Sequence, residues 1–96
     1  MIPRGRGKII NICSVMSEVS RPTIANYAAA KGGLMVMTRT LAKELAPAVR
    51  VNSIMPGIFA TPLMLGARQP VLDSLSASVP FPKRLGKPAE FASLAM

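Results

Sequence analysis

The segment GKIINICSVMSEVSRPTIANYAAAKGGLMVMTRTLAKELAPAVRVNSIMPG, residues 7–57, decides how this 96-residue chain folds. It opens on Lys8-Ile9-Ile10-Asn11-Ile12-Cys13, a short β-branched run behind Gly5-Arg6-Gly7 that reads as a buried strand. The run lacks clean alternation of apolar and polar residues, which predicts a parallel sheet covered on both faces. Ser14 to Pro22 reads as a polar loop at the carboxyl end of that strand. From about Ile24 to Ala46 the chain is rich in Ala, Leu and Met and free of proline, and Pro47 closes it, so a long helix is predicted there. Arg50-Val51-Asn52-Ser53-Ile54-Met55 is a second strand candidate, ending in Pro56-Gly57. Strand, loop, helix, strand in this order is one βαβ unit with a right-handed crossover and parallel strands. Two such strands need further neighbours to make a stable sheet. The fold class is therefore α/β.

On the predicted helix Tyr27 and Lys31 are four residues apart, so a phenol and an ammonium project from one face. A cation beside a phenol favours the phenolate, the form that can accept a proton. Ser14, at the end of the preceding strand, adds a hydroxyl able to hold a reacting oxygen while Tyr27 moves its proton. In open α/β sheets ligands bind at this carboxyl end of the strands. Taken alone, Tyr and Lys at this spacing are equally an ordinary surface pair. Gly32-Gly33 costs the helix about 1 kcal/mol per Gly relative to Ala, which points to a neighbouring backbone or ligand close by. Leu34, Met35, Met37, Leu41 and Leu45 read as core or subunit-interface residues.

Half of the residues are hydrophobic. A chain of this size buries only about 60 to 65 per cent of its unfolded surface, so this composition calls for partners or a larger fold. No apolar run reaches the roughly 18 residues of a membrane span, and MIPRGRGK lacks the apolar core of a signal peptide. The single Cys13 has no internal disulfide partner and reads as a small strand residue. A cytoplasmic protein without membrane association is the expectation, and no metal site is expected. The net charge of +8 gathers at Arg4, Arg6 and Lys8 and again at Lys83, Arg84 and Lys87, with three Phe, one Tyr and no Trp available to stack on bases. This imbalance reads as the basic portion of a larger protein, and nucleic acid is not expected as a partner.

GKIINICS at Gly7 to Ser14, Tyr27-x-x-x-Lys31, and VNSIMPG at Val51 to Gly57 together resemble the second half of a short-chain dehydrogenase/reductase. The early part is similar to gluconate 5-dehydrogenase-like members. The later part, from Gly57-Ile58-Phe59-Ala60-Thr61-Pro62-Leu63 to VPFPKRLGKPAEFA at Val79 to Ala92, is similar to 3-hydroxyacyl-CoA dehydrogenase type II-like members. The resemblance implies a Rossmann-type fold, NAD or NADP as cofactor, and interconversion of a secondary alcohol and a ketone. It implies that Ser14 hydrogen-bonds the substrate oxygen, that Tyr27 is the general acid/base, and that Lys31 supports Tyr27 and hydrogen-bonds the nicotinamide ribose. Pro56 and Gly57 match the turn that lets backbone approach the nicotinamide, although Pro-Gly is also an ordinary turn. Ile58 would sit beside it through its backbone, and Thr61 matches a threonine that contacts the cofactor carboxamide or diphosphate.

Family members begin with a strand and a TGxxxGxG turn whose amides receive the cofactor diphosphate. Gly5, Gly7, Gly32 and Gly33 do not have that spacing, and Asn11, Asn26 and Asn52 lie outside the motif of the family's upstream Asn. A helix is predicted from near Pro88, with Glu90 in its first turn. Residues 1–96 are thus expected to form a partial Rossmann domain, the catalytic half without the Gly-rich cofactor half and the final strand. On their own they are expected to bind NAD(H) or NADP(H) weakly or not at all and to turn over little. Phe59 to Lys87 matches the family's lid and substrate segment. Its apolar character, from Leu63 and Leu65 to Val79 and Phe81, suits an apolar or acyl substrate, and a segment packed on its own domain would show the same pattern. The resemblance also implies a homo-oligomer that uses the long helix. The alternative is a non-catalytic oligomerising or binding module.

Overall fold

The computed structural model describes residues 1–96. It divides into two units, Met1–Pro56 and Gly57–Met96.

In the first unit β1 (Gly7–Ile12) and β2 (Val49–Ile54) pair in parallel, Gly7 opposite Val49 and Ile12 opposite Ile54. Between them runs α1 (Ala25–Glu44), packed on β2 and on a one-turn 3-10 helix at Val15–Ser17. The ladder continues past the strands: Cys13 N–H donates to the Ile54 carbonyl at 2.9 Å and Val15 N–H to the Pro56 carbonyl at 3.1 Å. These bonds carry the extended chain of β1 as far as Ser14. The stretch read as a polar loop from Ser14 therefore begins with a 3-10 turn, because Ser14 and Ser17 supply a capping box for it.

Cys13, Val49 and Val51 form the small buried centre of this unit. β1 is not covered on both faces as its composition predicts. Lys8, Ile10 and Ile12 are exposed while Gly7, Ile9 and Asn11 are half-buried. The reason is topological: one crossover helix covers one face of the pair. Of the residues assigned to core or interface, Leu34, Met35, Leu41 and Leu45 are half-buried and Met37 is exposed. The Gly32-Gly33 pair meets its expectation only in part, since a neighbouring backbone comes near Gly32 and none near Gly33. A Cβ at Gly32 would meet the Ser17 carbonyl at 3.8 Å, an ordinary contact, and one at Gly33 would meet nothing within 4 Å.

The middle of α1 is fastened to β1 by polar contacts. The Asn11 amide donates to Thr38 Oγ1 at 2.9 Å, and the Thr38 hydroxyl donates to the Leu34 carbonyl at 2.8 Å. Thr38 is buried, so both bonds are shielded from water. Thr38→Val keeps the shape and removes the acceptor for Asn11. A loss of about 1–2 kcal/mol is expected, read as a lower urea midpoint at unchanged slope.

The second unit holds α2 (Pro62–Leu65), α3 (Gln69–Ser78) and α4 (Pro88–Ala95). The span read as a helical lid is α2 and α3. Within it Leu72 is buried, whereas Leu63 and the following-loop Phe81 are almost fully exposed. A parallel bridge joins Phe59 to Gly86, with Gly86 N–H donating to the Ile58 carbonyl at 2.9 Å and Ala60 N–H to the Gly86 carbonyl at 2.8 Å. Gly86 is required there, because a Cβ would fall 2.6 Å from the Phe59 ring. That ring meets Phe91 of α4 edge-on at 5.6 Å.

Before α4, the Arg84 guanidinium donates to both Glu90 carboxylate oxygens, at 3.2 and 2.8 Å, and the Lys87 N–H donates to Oε2 at 2.7 Å. The Arg84 hydrogen bonds, followed by that of the Lys87 backbone, hold the Glu90 carboxyl down at about 2. A depressed carboxylate contributes stability that is full above its ordinary range near 4.5 and lost as pH falls through about 2. Acidification across that window is expected to fray the start of α4, seen as faster amide exchange at Glu90 and Phe91. Glu90→Gln should abolish the pH dependence.

Candidate active site

Ser14 closes the extended run of β1 and is 7% exposed. Its Oγ accepts from Met16 N–H at 3.1 Å, and its own N–H donates to Ser17 Oγ at 3.2 Å. The Ser17 hydroxyl in turn donates to the Lys31 carbonyl at 3.0 Å, tying the turn after β1 to the helical turn that carries Lys31. Ser14 thus serves as a cap while its own hydroxyl hydrogen keeps no partner within the chain.

Lys31 reaches from α1 to the end of β1, where its Nζ donates to the Ile12 carbonyl at 2.7 Å. Ile12 lies two residues before Ser14. One turn earlier on α1, the Tyr27 ring centroid is 6.0 Å from the same Nζ. Tyr27 is 44% exposed, and its hydroxyl has no partner within the chain. Thr23, just before α1, takes φ 74°, a left-handed conformation that costs a β-branched residue on the order of 1–3 kcal/mol. The entry of the chain into the helix bearing Tyr27 is therefore strained.

Ser14, Tyr27, Lys31 and Pro56 all belong to the first unit, and Pro56 supports the turn after Ser14 through its carbonyl bond from Val15. Gly57, Ile58 and Thr61 belong to the second unit. There the Ile58 carbonyl is engaged by Gly86, and Thr61 Oγ1 caps α2 by accepting from Met64 N–H at 3.3 Å. Ser17 was not singled out by the sequence reading. Its signal was the Ser-x-x-Ser spacing of a capping box, which marks the turn but not the bond to Lys31. The Ile12 carbonyl was beyond side-chain reading altogether. No group of three or more His, Cys, Asp or Glu gathers to hold a metal ion, and no helix is long and apolar enough to cross a membrane.

Residues 1–71 match the family model of the short chain dehydrogenases. The chain belongs to the short-chain dehydrogenase family. Its parallel strand pair and α1 are part of that family's Rossmann architecture. Human (Homo sapiens) 3-hydroxyacyl-CoA dehydrogenase type-2 is 47% identical over 90 residues, 93% of this chain and 34% of that protein. The crystal structure of a 3-oxoacyl-[acyl-carrier protein] reductase from Brucella melitensis matches with a TM-score of 0.90 at 38% identity, over 99% of this chain and 36% of its own. A gluconate 5-dehydrogenase from Burkholderia cenocepacia, solved in complex with NADP and tartrate, matches with a TM-score of 0.86 at 41% identity, over 98% of this chain and 38% of its own. Both kinds of relative that the motifs resemble are therefore among the matches. This short-chain dehydrogenase chain spans about a third of the length of the relatives it matches.

Proposed function

We propose that residues 1–96 are the acid/base portion of a cytoplasmic, NAD(P)-dependent oxidoreductase that interconverts a secondary alcohol and a ketone. The observation that carries the reading is the Lys31 ammonium, bonded to the Ile12 carbonyl at 2.7 Å and set 6.0 Å from the Tyr27 ring at the strand end that bears Ser14. Lys31 uses one of its three N–H donors on Ile12, and the Tyr27 hydroxyl is free. These groups fit the ribose and nicotinamide end of a dinucleotide. The glycines present do not fit its diphosphate, since none forms a TGxxxGxG turn. A nicotinamide bound here supplies a hydride acceptor or donor.

The chain's own residues move and hold protons. Ser14 donates its free hydroxyl hydrogen to the substrate oxygen and fixes that oxygen near Tyr27. In the oxidative direction Tyr27 accepts the alcohol proton, and in the reductive direction it returns it to the carbonyl oxygen. Lys31 keeps a positive charge beside the phenol and offers its remaining donors to ribose hydroxyls. Pro56 and Gly57 bring the backbone toward the nicotinamide, with Ile58 and Thr61 as further cofactor contacts. The acyl-carrying substrates named for two of the relatives, and the apolar residues of α2 and α3, favour an acyl-type ketone over a sugar acid.

The 96 residues alone are expected to oxidise NADPH or NADH slowly, and only with cofactor in the millimolar range. Purified chain, acetoacetyl-CoA and either reduced cofactor, followed by cofactor absorbance, test this directly. Efficient turnover at micromolar cofactor would refute the impairment. Complete absence of ketone-dependent oxidation would favour the second reading, a non-catalytic module that oligomerises or meets a partner. That reading draws on the apolar side chains of Ile10, Ile12 and Val36, which are exposed on the first unit.

A further inference from the structure

At the amino ends of β1 and β2, the far end of the strands from Ser14, lies a cleft of about 410 Å³. Its walls carry Arg4, Arg6, Lys8 and Arg50, with the Gly5 turn on one side and Pro47 on the other. Gly5, between Arg4 and Arg6, adopts φ 64°, the left-handed conformation that glycine takes without strain. Lys8 and Arg50 are register partners on adjacent strands, and both are exposed. Like charges directly opposite each other destabilise a sheet.

The chain places no carboxylate among these cations. The four acidic residues are Glu18, Glu44, Asp73 and Glu90, and none lines the cleft. Glu18 pairs with Arg39 and Glu90 with Arg84. Four cations without a carboxylate therefore line one space of the size that small-molecule ligands occupy.

We propose that this cleft is a binding site for a small molecule carrying a diphosphate group. Arg4 and Arg6 present guanidinium forks suited to phosphate oxygens, while Lys8 and Arg50 hold the cross-strand side of the group. No aromatic side chain lines the cleft, which sets it apart from a nucleic-acid groove with its aromatic platforms.

Titration of the 96-residue chain with pyrophosphate and with ADP, at low salt and followed by calorimetry, tests the proposal and separates the free diphosphate from a nucleotide's. Saturable one-site binding is expected for at least one of the two. The Lys8→Gln/Arg50→Gln double variant should weaken it by about tenfold or more. Lys83→Gln/Lys87→Gln carries the same change in net charge and should leave binding within about twofold. Arg4→Gln/Arg6→Gln, which does not touch the strands, should also weaken it. Equal losses from the cleft pair and from Lys83/Lys87 would reduce the effect to net charge and overturn the proposal. Failure of both diphosphates to bind would do the same, as would tight binding of a single-stranded oligonucleotide alone.

Discussion

Tyr27→Phe is expected to lower the residual rate of ketone-dependent cofactor oxidation by about 10²–10⁴-fold at millimolar cofactor, the usual contribution of a positioned general acid. The substitution removes one oxygen atom from a ring that is 44% exposed and whose hydroxyl bonds to nothing within the chain. Stability should therefore change by no more than about 0.5 kcal/mol, and the helix that carries the ring should persist. A rate loss without a stability loss isolates the proton transfer from the packing. Ser14→Ala gives a useful contrast, because Ser14 Oγ also caps the Val15–Ser17 turn and its removal disturbs both. If the Phe variant keeps the parent rate, the residual oxidation does not pass through Tyr27 and the acid/base assignment fails.

Much of the first unit was legible in the sequence because its signals are local. The β-branched run before Ser14 and the Arg50–Met55 run before Pro56-Gly57 place both strands to within one residue, and Pro47 limits α1 from beyond its end. The face each strand residue takes was not legible in the same way. Ile9, Ile10 and Ile12 look alike as residue types, yet only the covering helix decides that Ile9 turns inward and Ile10 outward. An apolar residue type does not record which face of the strand it takes. The candidate site divides along the same line. Tyr27 and Lys31 were legible from a four-residue spacing, which a helix converts into a shared face. The clamp that fixes Lys31 was not, since its acceptor is the backbone of Ile12 and its second tie runs through Ser17. Gly57, Ile58 and Thr61 follow Pro56 closely in sequence but begin another unit, a boundary that no residue type announces.

Lys31→Met should weaken binding of nicotinamide mononucleotide by about 10–100-fold, the range for losing charge-assisted hydrogen bonds. Tyr27 is the only tyrosine and the chain has no Trp, so quenching of tyrosine emission by the nucleotide reports on this one ring. The same substitution deprives the Ile12 carbonyl of its donor, at the junction where β1 gives way to the turn holding Ser14. Because that bond is exposed, the stability cost should stay near the lower end of about 0.5–1.5 kcal/mol. Lys31→Arg distinguishes the clamp from the charge. It keeps the cation but presents a planar fork in place of a compact ammonium, so it cannot donate to Ile12 and to a ribose with the same geometry. Partial recovery of stability with little recovery of nucleotide affinity is therefore expected from Arg. Equal quenching by nucleotide in the parent and Met proteins would leave Lys31 as a tie between α1 and β1 and nothing more. Among the side chains of α1, the cofactor would then have only Tyr27, whose one hydroxyl is already committed to the substrate proton.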